Sequence, residues 1–239
     1  MTTTSHPLKN RQQAGHLLAQ KLGCWRNDEH NVVLALPRGG VPVGFALAEA
    51  LALPLDVLVV RQLSVPGHTT LSMGAMSTDG HRLLSDNLVE QEQISQVDLE
   101  AAISEQSTAM AKSEKLYRVN RPPIELAGRH VILVDDGMTT GSSMQVAITS
   151  VRAARAARVT VAVPVVTDKA VSAIRLLVDE LIYLLLPDKL SAVEQWYTEF
   201  DQLGDADIMD LMSRAEHLSN KDKALSRLFS DFQGEQSGV

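Results

Sequence analysis

Residues 130–150 read HVILVDDGMTTGSSMQVAITS. Val131, Ile132, Leu133 and Val134 form a continuous apolar run, the pattern of a strand buried on both faces. The run ends in two acids, Asp135 and Asp136. Gly137-Met138-Thr139-Thr140-Gly141-Ser142-Ser143 follows as a turn of small and hydroxyl residues. Met144, Val146, Ala147, Ile148, Val151 and Ala154 then recur at helical spacing. The order is strand, loop, helix. Short residues in such a loop let main-chain N–H groups crowd around one point, and the helix start behind them favours an anion such as phosphate. The acids fall at the carboxyl end of the strand, where open α/β sheets bind ligands. Carboxylates do not bind phosphate, so they are expected to face sugar hydroxyls, or a metal ion and its water. The same local pattern also suits an ordinary buried strand with an Asp-Asp-Gly turn and a Ser-capped helix. No GxxxxGK[ST] element is present, and no GxGxxG follows a strand.

VILVDDGMTTGSS resembles the phosphoribosyl-pyrophosphate (PRPP) signature of type I phosphoribosyltransferases: an apolar strand, two acids, three residues, then a Thr-Gly-x-Ser/Thr element. The resemblance implies an α/β fold with a mainly parallel twisted sheet flanked by helices, a lid loop and a helical hood from the termini. It implies that Thr139, Thr140, Gly141, Ser142 and Ser143 wrap a 5′-phosphate, while Asp135 and Asp136 address the ribose 2′ and 3′ hydroxyls. Mg²⁺ is the implied cofactor, reached by Asp135 and Asp136 directly or through water. PRPP and a small-molecule acceptor, a nitrogenous base, are the implied partners. Members acting on 6-oxopurines carry an acid where this chain has Thr139, which argues against hypoxanthine or guanine.

The resemblance extends upstream. Asn31–Leu36, NVVLAL, reads as the first strand and runs into Pro37-Arg38-Gly39-Gly40-Val41-Pro42-Val43-Gly44, then a helix over Phe45–Ala52. In the family the matching loop cradles pyrophosphate and often carries a non-proline cis peptide, so Arg38, Gly39 and Gly40 are its expected counterparts. Glycine there lets main chain approach the ligand closely. A plain βα turn with a surface arginine is the alternative. Leu55–Leu63, LDVLVVRQL, reads as one further strand with Arg61 and Gln62 at its end. Arg61 is either a phosphate contact or a solvated strand-end residue. Ser64–Arg82 is polar and glycine-rich, and is expected to be the lid that excludes water from the reacting centre. His68 there is a proton donor, a phosphate contact or simply solvated. The stretch also resembles a bacterial subgroup reading Arg-Lys-Leu-Gly-x-Pro-Gly-x-Pro-Glu. This chain departs from it at Gln62, Ser64 and Thr69-Thr70-Leu71.

Composition narrows the classes. The chain has 239 residues, 45% of them hydrophobic, enough for one large domain with a core over about 28–190 and a helical extension over about 191–233. The 22 basic and 29 acidic residues give a net charge of −7, which argues against non-specific binding to nucleic acid or an anionic membrane. Cys24 is the only cysteine, so no disulfide framework exists and a reducing, cytoplasmic setting is expected. No run approaches the roughly 20 apolar residues of a membrane span.

The flanking segments read as follows. His6–Trp25 is a packing helix without chemistry. Asn87–Tyr117 is a long polar helix, or two with a break, suited to the sheet edge or to a contact in a homodimer. Arg158–Val166 is a strand, Asp168–Val178 a helix and Asp179–Leu186 the last strand. Trp196, Tyr197 and Phe200 are a packing cluster or a platform for a planar base. Asp205-Ala206-Asp207 reads as a helix N-terminal cap. Ser219–Phe232 reads as a last helix and Gln233–Val239 as a frayed tail. Transfer of a phosphoribosyl group is one function these features suit. A PRPP- or nucleotide-sensing regulator of the same fold is the alternative. A sugar-phosphate esterase would need a nucleophile or metal cluster, and none stands out.

Overall fold

A computed structural model of the chain describes residues 7–28, 30–118 and 121–218. The expected helix over Ser219–Phe232 and tail over Gln233–Val239 lie outside them. The order is α1 (Arg11–Lys21), β1 (Asn31–Ala35), α2 (Gly40–Leu51), β2 (Leu55–Val57), β3 (Val60–Val65), β4 (His68–Ser77) and β5 (Arg82–Leu84). Then come α3 (Asp86–Gln91), α4 (Gln96–Tyr117), β6 (His130–Val134), α5 (Ser142–Ala153), β7 (Arg158–Val165), α6 (Asp168–Ile174) and β8 (Glu180–Leu185). A further helical segment spans residues 205–218.

The main sheet is five-stranded and parallel, in the order β2-β1-β6-β7-β8. All five residues of β1 and of β6 are buried, as unbroken apolar runs require when helices cover both faces. Alternate strand residues feed opposite layers. Val33, Ala35, Ile132 and Val134 pack with Leu18 and Leu22 of α1, Leu47 and Leu51 of α2, and Ile208 and Met212 of segment 205–218. Val32, Leu34, Val131 and Leu133 pack with Met144, Ile148 and Val151 of α5 and with Ala170 and Ile174 of α6. From β1 the chain steps outward to β2 on one side, and β6, β7 and β8 fill the other. The order therefore reverses between β1 and β6, and their carboxyl-end loops face each other across the switch point.

Two expectations change. Leu55–Leu63 is not one strand. β2 ends at Val57, and β3 begins at Val60 in a separate antiparallel sheet, β3-β4-β5. The apolar run is continuous across the break, but burial is unbroken in β2 and interrupted in β3, where Arg61, Gln62 and Ser64 are not buried. The expected lid over Ser64–Arg82 is this same sheet. Val65 pairs with His68 around a Pro66-Gly67 turn, and Met73 and Ala75 of β4 are fully buried. Small and polar residues such as Ser72, Gly74 and Ser77 stand in β4 beside the buried Met73, Ala75 and Met76, so low hydrophobicity did not mean a loop. His68 is exposed at the hairpin turn. The helical region upstream of β6 breaks into α3 and α4.

At the opposite end of the sheet, His130 is a buried cross-strand link. Its Nδ1 lies 3.1 Å from Asn31 Oδ1 and its Nε2 2.9 Å from Thr160 Oγ1. Trp25 covers the ring at a centroid distance of 3.8 Å. Asn31 donates its amide to the Trp25 carbonyl, so its Oδ1 faces the ring and Nδ1 carries the proton. Burial, helped by the Arg158 charge, lowers the His130 pKa to about 4. The unfolded chain takes up this proton near pH 6.5. Stability should therefore fall as pH drops from about 6.5 to about 4. His130→Gln should flatten that part of a urea-denaturation pH profile by on the order of 2 kcal/mol. An unchanged slope would show that His130 does not carry it.

Candidate active site

The signature residues occupy the β6–α5 connection. Behind it, the loop is stitched to the end of β7: Met138 N–H donates to the Val165 carbonyl at 2.8 Å, Thr167 N–H to the Met138 carbonyl at 3.1 Å, and Thr167 Oγ1 to the Thr139 carbonyl at 2.6 Å. These bonds leave Thr139–Ser143 as a short arch on a fixed base. Gly141 adopts a left-handed conformation with φ 79°, which a glycine accepts without strain, and α5 starts at the next residue. The first-turn amides of a helix have no acceptor within it. The Thr140 and Ser142 hydroxyls lie 3.1 Å apart beside them. Amides, hydroxyls and the positive helix end converge on one spot, a donor set suited to a phosphate.

The two acids have different surroundings. Asp136 Oδ2 accepts from Arg11 Nε at 2.8 Å, and their side chains are 15% and 9% exposed. Arg11 also donates through Nη1 to the Asp201 carbonyl at 2.9 Å and lies 3.6 Å over the Phe200 ring. Tyr197 O–H donates to the Asp136 carbonyl at 2.7 Å. α1, read from sequence as packing alone, thus supplies a buried cation to the signature. Tyr197 and Phe200 hold that pair, and the Tyr197 hydroxyl is pushed far up in pKa, first by burial and then by the Asp136 charge. Both aromatics act here as packing, the plainer of the two expectations. Asp135 accepts from the Asp136 N–H at 2.9 Å. Burial, then the Asp136 charge, raises its pKa well above the usual carboxylate range. Burial also raises Asp136, with Arg11 opposing.

The β1–α2 loop lies against these acids. The Pro37–Arg38 peptide is cis, as the resemblance implied for this loop. A Cβ on Gly39 would stand 2.1 Å from Asp136 Oδ2, so only glycine fits beside that carboxylate. Gly40, expected in the loop, heads α2. Beyond it opens a cleft of about 290 Å³ lined by Pro37, Arg38, Val59, Val60, Arg61, Ser113 and Tyr117. Arg38 and Arg61, far apart in sequence, line it together. Arg61 Nη2 donates to Ser113 Oγ at 3.2 Å, and Arg38 Nε to Tyr117 Oη at 3.4 Å. Sequence reading gave α4 no place in the site, yet it supplies Ser113 and Tyr117. Asp205, read as a helix cap, accepts from Tyr117 O–H at 2.6 Å and Arg38 Nε at 3.1 Å. The capping contact is instead made by Asp207, whose Oδ2 accepts from Gly204 N–H at 2.8 Å. Gln62 is exposed and does not line the cleft. Among the described residues no group of three or more His, Cys, Asp or Glu side chains could hold a metal.

The phosphoribosyl transferase domain family matches residues 8–183. The chain belongs to that family. Two Mycobacterium tuberculosis proteins, from strains H37Rv and CDC 1551, each bear the name "Putative phosphoribosyl transferase" and are 38% identical over 206 residues. That alignment covers 86% of this chain but 46% of theirs, so the chain spans about half the length of these curated relatives. The crystal structure of TT1426 from Thermus thermophilus is 35% identical, with a TM-score of 0.71, covering 86% of this chain and 97% of that one.

Arg11→Ala would leave the Asp136 carboxylate buried without its cation. Loss of one partner from a buried pair costs about 3 kcal/mol or more. Urea denaturation should show that loss for Arg11→Ala and a clearly smaller one for Arg11→Ala/Asp136→Asn. Independent, additive effects would show that the two side chains are not coupled.

Proposed function

We propose that this protein transfers the 5-phosphoribosyl group of PRPP to a nitrogenous base and releases pyrophosphate. One observation carries the reading: at the β1/β6 switch point the β1–α2 loop, which carries Arg38 into the cleft, lies against Asp136 through Gly39, and the small-residue loop that leads into α5 follows the same two acids in the chain. Thr139, Thr140, Gly141, Ser142 and Ser143 would hold the 5′-phosphate through main-chain and hydroxyl donors. Asp135 would accept from the ribose hydroxyls. Asp136, held by Arg11, would fix the loop and share the ribose face. Arg38, Arg61 and the main chain at Gly39 and Gly40 would take the pyrophosphate.

The ribose C1–O bond breaks and its electron pair leaves with pyrophosphate. A nitrogen lone pair of the acceptor forms the new bond to C1, and the acceptor loses a proton. Charge builds on the leaving group, which fixed cations stabilise without reorganisation. Phosphate arch and cleft together would align C1 with the acceptor.

Mg²⁺ suits this donor set in the manner usual for that ion, with one or two carboxylates from the protein and further oxygens from a phosphorylated substrate. Asp135 and Asp136 would be its protein contacts, direct or through water. The half-buried Asp135, whose pKa is raised, is a group that gains from a cation or a hydroxyl donor. When bound, the ion would neutralise charge on the leaving group. No described helix is long and apolar enough to cross a membrane.

The test combines pyrophosphate release from PRPP over a panel of bases with calorimetric binding of PRPP. Turnover with at least one base is expected. Tight binding with no turnover on any base would replace the reading with a regulator that senses PRPP. Asp135→Asn keeps an oxygen for the Asp136 N–H but removes a buried charge. It should lower kcat/KM by about 100-fold or more. It should also stabilise the protein at pH 7.5 by on the order of 1 kcal/mol, since a raised pKa means that ionisation costs the fold. That gain should fade towards about pH 4, where unfolded carboxylates are protonated as well. A variant less stable than wild type at pH 7.5 would contradict the assigned burial.

A further inference from the structure

The Arg38 guanidinium, assigned above to a pyrophosphate leaving group, is already gripping an anion that belongs to the chain. Asp205 Oδ1 accepts from Arg38 Nε and stands 3.1 Å from Arg38 Nη2. Tyr117 O–H donates to the same oxygen at 2.6 Å. Arg38 Nη1 adds a bond to the Leu203 carbonyl at 3.4 Å. A carboxylate oxygen held by one hydroxyl and two guanidinium N–H groups has the surroundings that a phosphate oxygen takes. The positive charge of Arg61, on the wall of the same cleft, also favours ionised Asp205.

Helix geometry does not require this placement, because Asp207 makes the capping contact at Gly204. The backbone of the segment is fixed. Ile208 and Met212 are fully buried, and Arg121 bridges to Glu216 at 3.6 Å and to the Met212 carbonyl at 3.4 Å. The Asp205 side chain is nevertheless 44% exposed and Arg38 49%, so the pair can part by side-chain rotation alone. Exposed pairs of this kind are weak enough for a polyanion to displace.

We infer that Asp205 is a built-in competitor for the leaving-group site: its carboxylate occupies the Arg38 fork at rest and is displaced when a pyrophosphate-bearing ligand enters the cleft. The inference rests on the proposed function, since it takes the cleft as the site for pyrophosphate. Asp205 would thereby set the affinity for the leaving group, and its displacement would accompany each binding event.

The probe is inorganic pyrophosphate, titrated calorimetrically into the 239-residue chain as wild type, Asp205→Ala and Asp205→Asn. Both variants should bind it about three- to fivefold more tightly, the factor an exposed ion pair supplies. Asp205→Asn preserves size and a hydrogen-bond acceptor, so a tightening shared by both variants isolates the charge. Circular dichroism melts establish that each is folded. Equal or weaker binding by folded variants, with wild type still binding, overturns the competitor while the leaving-group site stands. In that case Asp205 serves to orient Arg38. If pyrophosphate binds none of the three, the leaving-group site itself fails and the competitor with it.

Discussion

Asp136 is where four parts of the chain meet. Its backbone lies two residues past the end of strand β6, its carboxylate lies against Gly39 of the β1–α2 loop, its partner Arg11 comes from α1, and its carbonyl is held by Tyr197. Adjacent buried carboxylates are unfavourable in water-free surroundings. Arg11 makes the arrangement tolerable, with Phe200 against the guanidinium and the Asp201 carbonyl taking a second N–H. The ion pair is therefore more than a local contact. It fixes how close the β1–α2 loop comes to the signature strand, and so how far the arginine cleft stands from the phosphate arch.

The same pair divides the acids. One cation serves Asp136, whereas Asp135 accepts from the neighbouring main-chain N–H. Asp135 is thus the polar group at the strand end with most to gain from a ligand hydroxyl or a cation. A fold that leaves one acid under-served gives up stability, and this is the usual relation between a binding site and the scaffold that holds it. The rest of the scaffold is stiff enough to sustain it. β1 and β6 are buried throughout, and the arch is bonded to the end of β7.

Much of the fold was legible because periodicity changes where structure changes. The run Val131–Val134, the acids and the small-residue loop announced a strand end and a helix start within a few residues, and β6 and α5 lie there. The run through Leu55–Leu63 misled because strands buried in different sheets share one composition, and only the pattern of half-burial after Val60 separates them. The glycine-rich stretch after it misled because small and polar residues stand in β4 between buried apolar ones, so its composition matches that of a loop. Site residues divide by sequence distance. Arg38 follows β1 and was readable from position, whereas Arg61, expected at a strand end, is the second residue of β3. Arg11, Ser113, Tyr117 and Asp205 were not readable, because each acts through a partner that only the fold brings near. Arg11 and Asp136 are 125 residues apart, and Tyr117 and Asp205 are 88. A lone arginine at the start of a packing helix carries no local mark of such a partner.

The acidic composition and the proposed anionic ligand are compatible. A net charge of −7 describes the whole surface, but charges farther away than about 8 Å are largely screened at physiological ionic strength. What the proposed phosphate groups would meet is the local set: helix-end amides at the start of α5, and Arg38 and Arg61 on the wall of the cleft. Those cations do not stand bare beside the apolar wall of Val59 and Val60. Ser113 and Tyr117 from α4 and Asp205 from the C-terminal segment surround them with acceptors. The parts that define the family thus grow from strand ends, whereas the parts that set charge around them come from helices wrapped over those ends. Exchanging a residue on α4 or in segment 205–218 can therefore retune the site without disturbing the sheet that carries it.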